Sequence, residues 1–467
     1  MRVLFVTSEI YPYAKTGGLA DVSGALPKAL QAKGVDIVSV MPLYASVEKE
    51  KYPLERCDFS FNILLNHHIY PCQIFRNENV YFIANSTLFE RDSLYGEYED
   101  NGIRFGVFAY AVMELAKYLS ATWDVIHLND WQSALVAYLA KVHYKMEVKV
   151  VLTIHNLAFQ GVFPKELMDD LEIGWDAFTL HRFEFYDQMN FLKGAIAYSD
   201  HIVAASPEYG REIQTPELGC GLDSFLRENS HKLCGILNGI DTDEFNPKTD
   251  TYLFKNYNDV LSNDKKQNKI KLLHELGLEH PERLLFVFIG RFTWQKGISA
   301  ILESLSYLKD LEINIAILGN GEPYYNSSFG AFEGVYPNVA IQLGYDERLA
   351  RMLYASGDYL LMPSVYEPCG LNQMIAMAYG CVPIVRATGG LVDSVADIGD
   401  HPFSSERGNG IVFEKLDRFS FLFALSRALA LYANPKRYLA LIEHNHTIDN
   451  SWDTRAQAYL SLYRMRR

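Results

Sequence analysis

The sequence predicts an α/β protein built from two doubly wound domains that face a central cleft. MRVLFVTSEI, YPYAKTGG, LADVSGALPKALQAKG and VDIVSVMPLY read in turn as strand, glycine loop, helix and strand. A second series with the same organisation begins at LLFVFIGR, with FTWQKG as its loop. Between the two, residues 250–282 are polar and rich in Lys, Asn and Asp, which marks a change of unit. At 467 residues the chain is also long for a single core.

The opening run is rich in Val, Phe and Ile, as a parallel strand buried on both faces should be. Lys15, Gly17 and Gly18 follow it, at the strand end where open α/β sheets bind ligands. Leu19, Val22, Leu26 and Leu30 share one face of the next helix, and Gly34 is its stop signal. Pro27 inside that helix forfeits a backbone bond. Backbone N–H groups at Gly17, Gly18 and the helix start, with the Lys15 ammonium beside them, suit an anion. The spacing matches neither the three-glycine dinucleotide pattern nor the phosphate loop ending in Gly-Lys-Ser/Thr.

Residues 59–84 read as β-rich and 102–119 as helical. WDVIHLND delivers Asn129 and Asp130 to a strand end, SALVAYLAKVHY reads as a helix, and VKVVLTIHN delivers His155 and Asn156 to the same edge. A lone histidine there is either a satisfied structural group or a ligand residue. AIAYSDHIVAASPEYGREI repeats helix, strand and loop.

In the second series Arg291 follows a strand directly, and Lys296 precedes Gly297 and a helix with Ile298, Ile301, Leu302, Leu305 and Leu308 on one face. Two fixed cations at a helix start can bind a diphosphate, each charge-assisted bond contributing about 1.5–3 kcal/mol. INIAILGNG, VAIQLGY and DYLLMPSVYEP read as further strands, and TGG at 388–390 as a further turn after CVPIVRA. Glu367, in SVYEPCGL, precedes a helix-like run over 371–379. Its carboxylate either faces the helix dipole or accepts hydrogen bonds from sugar hydroxyls. The domain boundaries follow: 1–240 for the first, 241–449 for the second, and a final helix over 450–467 that packs back on the first.

A net charge of −14 argues against nucleic acid or an anionic membrane as partner. No apolar run reaches the length of a membrane span, and Glu9 interrupts the opening run, so no signal peptide is read and a cytoplasmic location is expected. The six cysteines, none at C-x-x-C spacing, argue against structural zinc. No metal and no cofactor are expected. Asp241-Thr242-Asp243 has the Asp-x-Asp form of a Mn²⁺ site, but its place after LNGI favours a polar loop.

KTGGLADVSGALPKAL, HLNDWQSAL, TIHNLAFQG, LNGID, GRFTWQKG, EPCGLNQM and TGGL occur in an order that resembles bacterial glycogen synthases and plant starch synthases. The resemblance covers nearly the whole chain. It implies two Rossmann-like domains of the GT-B glycosyltransferase type with the active site in the cleft. It also implies transfer of α-glucose from ADP-glucose to the non-reducing end of an α-1,4-glucan (glycogen or a maltooligosaccharide), with retained configuration.

By the same resemblance, Lys15, Gly17 and Gly18 form the donor-phosphate and glucose-side loop, and Arg291 with Lys296 neutralises the leaving diphosphate. Glu367 with the backbone of Cys369, Gly370 and Leu371 matches the glucose-binding element. His155, Asp130 and Asn238 match positions near the transferred sugar, Tyr345 an aromatic that stacks on the base, and Asp21 a further site residue. One departure is Val365, where many bacterial members carry arginine. The catalytic set implied is therefore Lys15, His155, Arg291, Lys296 and Glu367. Lys296→Ala is expected to lower kcat while leaving thermal unfolding nearly unmoved, because a cleft-loop cation packs little.

An NAD-dependent oxidoreductase would also carry Rossmann domains but lacks its glycine triplet here. UDP-glucose as donor and a non-catalytic nucleotide-sugar sensor stay open, although Lys15, Arg291, Lys296 and Glu367 together count against the sensor.

Overall fold

The computed structural model describes residues 1–120, 122–399 and 408–465. It divides into two compact units, Met1–Asn238 with Trp452–Arg467, and Gly239–Ser451.

The first unit is built on β1 (Arg2–Val6), β2 (Asp36–Pro42), β3 (Glu55–Leu65), β4 (His68–Asn77), β5 (Val80–Ala84), β6 (Val125–Asn129), β7 (Lys149–Ile154), β11 (His201–Ala204) and β12 (Leu233–Gly235). These form one nine-stranded sheet in the order β12-β11-β7-β6-β1-β2-β5-β4-β3. From β12 to β5 every pairing is parallel, so the loops after β1, β6, β7 and β12 open on one edge. The β-rich stretch resolves into an antiparallel hairpin, β3 with β4, added beside β5. Between β7 and β11 the chain makes a small sheet that the sequence did not announce, from β8 (Val162–Pro164), β9 (Glu184–Phe185) and β10 (Gln188–Asn190).

The two-residue period of β1 sends Leu4 and Val6 into one core and Val3 and Phe5 into the other. The second core is closed by Val22, Leu26 and Leu30 of the helix Gly18–Ala32, and by Trp452, Ala456, Tyr459 and Tyr463 of the helix Trp452–Arg464. Pro27 is accommodated inside the first of these helices at a buried position. Residues 466 and 467 of the expected terminal helix lie outside the described residues. A polar tie reinforces the apolar contact. His127 Nδ1 meets the Tyr463 hydroxyl at 2.6 Å and its Nε2 meets Thr153 Oγ1 at 2.7 Å. Burial pushes this imidazole down to about 3, so it is neutral at physiological pH. The helix expected over 133–144 instead starts at Asp130, runs to Tyr138 and ends in a π-helical turn, Leu139–His143.

The second unit holds β13 (Leu284–Phe292), β14 (Ile313–Gly321), β15 (Val339–Leu343), β16 (Tyr359–Met362), β17 (Val382–Arg386) and β18 (Ile411–Phe413). All pairings in the order β15-β14-β13-β16-β17-β18 are parallel, so a second shared edge collects the loops after β13, β15, β16 and β17. Of DYLLMPSVYEP only Tyr359–Met362 is strand; residues 363–368 belong to the loop that carries Glu367. Asp241, from the Asp-x-Asp, accepts the backbone N–H groups of Asp243 and Glu244 at 3.1 and 3.2 Å and so shapes a turn. Among the described residues, no helix is long and apolar enough to cross a membrane.

Candidate active site

In the first unit the glycine loop runs from β1 into the helix Gly18–Ala32, whose N-cap, Gly17, is extended and offers no side-chain acceptor. The first-turn N–H groups are therefore uncapped by a side chain, which suits an anion. Lys15 Nζ lies 2.8 Å from Asp21 Oδ1, on the first turn of that helix. This pair steadies Lys15 on a side chain that stays about a third exposed, at 32%.

Asp130 begins the helix after β6 with φ at +55°, a left-handed conformation that aspartate tolerates better than most residues. The turn folds its carboxylate back towards β7, where Oδ1 accepts the N–H of His155 at 2.7 Å and of Asn156 at 3.4 Å. Burial raises the Asp130 carboxyl to about 7; the two backbone donors oppose this and nearby Glu9 adds to it. His155 is pushed down to about 3 by burial, and is neutral. Asn129 Nδ2 donates to the carbonyl of Val6 at 3.0 Å, which leaves Asn129 Oδ1 to accept from His155 Nε2–H at 3.0 Å. His155 Nδ1 is then an acceptor. Asn238, after β12, is 4% exposed, and its Oδ1 has no hydrogen-bond partner among the described residues. A buried amide oxygen without a donor carries a desolvation cost that a hydrogen-bond donor would offset.

The raised Asp130 carboxyl has a consequence for stability. Between about pH 4 and 7 the folded protein holds a proton there that the unfolded chain releases, so this stabilising contribution is lost as pH rises through the window. Asp130→Asn has no proton to lose. Urea unfolding should show wild type losing ground to Asp130→Asn from pH 4.5 to pH 7.5, and parallel pH profiles would contradict the buried setting of Asp130.

In the second unit Arg291, expected directly after a strand, is instead the exposed penultimate residue of β13, paired with Asn320 of β14, and the glycine loop that follows carries Lys296 in a single 3₁₀ turn, Trp294–Lys296. Gly297 takes φ +61° and starts the helix Ile298–Leu308. Lys296 Nζ reaches across to Glu367 Oε2 at 2.6 Å, and Ser364 Oγ donates to the same oxygen at 3.0 Å. Glu367 is 5% exposed. Its loop is fixed from several sides. Val365 N–H donates to the carbonyl of Gln295 at 2.8 Å, and Gly390 N–H to the carbonyl of Glu367 at 3.0 Å. Gln373 Nε2 takes the carbonyls of Cys369 and Gly370 at 3.1 and 2.9 Å. The N–H groups of Gly370 and Leu371 have no acceptor among the described residues, and Leu371 opens the helix Asn372–Ala378.

Val365 is the departure from the resemblance, yet a guanidinium still serves this loop. Arg386, at the end of β17, donates through Nη1 to the carbonyls of Ser364 and Val365 at 3.2 and 2.6 Å, and through Nε to that of Glu414 at 3.1 Å. Sequence reading passed over Arg386, whose one signal was its place at a strand end before TGG. Tyr345 follows β15, two strands from β13, so the strand spacing alone sets it roughly 10 Å to the side. Tyr345 is 71% exposed, and its hydroxyl donates to the carboxylate of Glu347, at the start of the helix Glu347–Ser356.

Comparison with known proteins follows this geometry. Residues 2–228 match the family described as starch synthase catalytic domain, and residues 269–431 match glycosyl transferases group 1. A glycogen synthase from Aquifex aeolicus is 45% identical, covering 99% of this chain and 98% of that protein. A glycogen synthase from Thermotoga maritima is 40% identical, with 99% and 98% covered. The catalytic domain of starch synthase IV from Arabidopsis thaliana, bound to ADP and acarbose, superposes with a TM-score of 0.93 at 34% identity, covering 99% of this chain and 98% of that one.

Proposed function

The chain belongs to the glycogen synthase and starch synthase family, a glycosyltransferase that elongates glycogen from a nucleotide-sugar donor on a glucan acceptor, and from this we propose how its residues do so. The donor is ADP-glucose, and α-glucose passes with retention to the non-reducing end of an α-1,4-glucan, in the cytoplasm. The observation that carries the assignment is the Lys296–Glu367 pair at 2.6 Å on the edge that also carries Arg291.

Arg291 and Lys296 hold the donor diphosphate, and the base stacks on Tyr345. Glu367 and the N–H groups of Gly370 and Leu371, next to Cys369, hold the glucose hydroxyls. On the first unit's edge, Lys15 with Gly17 and Gly18 serves the phosphate and glucose side. Asp21 steadies Lys15, while Asp130, His155 Nδ1 and Asn238 Oδ1 accept from sugar hydroxyls. As the bond from C1 to phosphate oxygen breaks, negative charge grows on the diphosphate and positive character on the sugar. The two cations meet the first change, at positions fixed before reaction. The acceptor 4-hydroxyl attacks from the face the phosphate leaves, and its proton passes to the departing phosphate oxygen, which preserves configuration.

Incubation with glycogen and labelled ADP-glucose or UDP-glucose tests this directly. Incorporation should come from ADP-glucose; label incorporated only from UDP-glucose would overturn the donor assignment. Because side-chain cations can neutralise the diphosphate, incorporation should also persist in excess EDTA. Abrupt loss on chelation, restored by Mn²⁺, would return Asp241 and Asp243 to consideration.

A further inference from the structure

We propose that Glu9 is a positioning residue whose buried carboxylate fixes the backbone at Thr16, and thereby sets where Lys15 and the N–H groups of Gly17 and Gly18 stand. This role rests on the donor-side assignment of the Lys15 loop.

Glu9 lies three residues past the end of β1 and is 3% exposed. Its Oε2 accepts the N–H of Thr16 at 2.5 Å, and its Oε1 accepts the Thr16 hydroxyl at 2.7 Å and the Tyr95 hydroxyl at 2.5 Å. Burying a carboxylate is costly, and burial pushes this one above its ordinary range. β1 itself has no use for the group, since Val3, Leu4, Phe5 and Val6 supply its packing. Two of these donors belong to Thr16, between Lys15 and Gly17, and the Gly17 N–H also faces the carboxylate and favours its charged form. The carboxylate therefore acts on the loop.

The Tyr95 donor ties the loop to the core. The Tyr95 hydroxyl also meets Ser8 Oγ at 2.8 Å, and the Tyr95 carbonyl accepts from Arg104 Nη1 at 3.1 Å. Arg104 is fully buried on the helix Asn101–Leu119 and also holds the carbonyls of Leu88 and Leu94 at 2.6 and 3.0 Å. Thr16 is thus fixed through Glu9 and Tyr95 to a rigid element. Preorganisation of that kind matters where a small displacement of a charged group costs rate.

The test is a double-mutant cycle in kcat/KM for ADP-glucose with a maltooligosaccharide acceptor. Glu9→Gln keeps the shape but turns one acceptor into an N–H₂ donor, and should lower kcat/KM about ten- to a hundredfold, the scale of misplacement effects. In a Lys15→Ala background the same change should cost clearly less, because the part that runs through the ammonium is already gone and only the part through the Gly17 and Gly18 N–H groups remains. Tyr95→Phe, which spares both Thr16 contacts, should show a smaller loss that also shrinks in that background, and it carries the test if Glu9→Gln does not fold. A merely structural Glu9 would give equal losses in both backgrounds, and that result, or a Glu9→Gln enzyme with wild-type kcat/KM, overturns the proposal. Lys15→Ala with wild-type kcat/KM would instead bring down the donor-side assignment itself, and this role with it.

Discussion

Lys296→Ala should lower kcat about a hundred- to a thousandfold, the range for losing one strong transition-state donor. Its ammonium stands 2.6 Å from Glu367 Oε2, between a strand end and a helix start, where it can follow charge as it develops on the leaving diphosphate. The sequence suggested that such a substitution leaves unfolding nearly unmoved. The structure changes that expectation, because the partner carboxylate is 5% exposed. Removing the cation leaves Glu367, among the described residues, with the Ser364 hydroxyl as its side-chain donor, and an uncompensated buried charge costs up to about 3–5 kcal/mol. The Lys296 side chain is 21% exposed, so water can enter the gap and the expected loss falls nearer about 1–3 kcal/mol. Lys296→Ala with Glu367→Gln should recover most of that stability and none of the activity. Chemical denaturation and saturating-donor kinetics on both variants separate the two effects; an unchanged kcat would remove Lys296 from the site.

Gly297→Ala should damage stability and activity together. The residue holds φ +61°, which costs an L side chain about 1–2 kcal/mol. Its new β-carbon would overlap the Pro363 carbonyl oxygen and stand 2.7 Å from the carbonyl carbon, an overpacking worth about 1–3 kcal/mol more. The summed loss is about 2–5 kcal/mol. Relief comes only by parting the Lys296 turn from the loop 363–367, so the Lys296–Glu367 pair opens and the KM for donor rises with the fall in kcat. Gly34→Ala is the control: φ is +82° but nothing lies within 4 Å of the added carbon, so it should cost the conformational part alone and spare activity. A Gly297→Ala enzyme matching the control would show that the two loops are not held in register by this contact.

Periodicity and punctuation in the sequence were enough to place Lys15, Asp130 and His155 at strand ends of one series, and Arg291, Lys296 and Glu367 at strand ends of the other. Apolar runs in parallel sheets are near-continuous, and glycine loops follow them, so strand ends announce themselves locally. The stretch 59–84 read as β-rich but without the pairing of β3 and β4, and the small sheet of β8, β9 and β10 was not read at all, because short or half-buried strands carry weak periodicity. Side-chain partners were out of reach altogether. Glu367 meets Lys296 across 71 residues, and Glu9 meets Tyr95 across 86. Arg386 finds the Val365 carbonyl because β17 lies beside β16. What the sequence by itself determined was which residues reach the shared strand-end edge of each sheet, since that depends on local pattern. What only the tertiary structure decided was which charge is buried, which is paired and which loop each one holds. Those depend on strand order and register, and a side chain's period reports the face it occupies but not the neighbour it meets there.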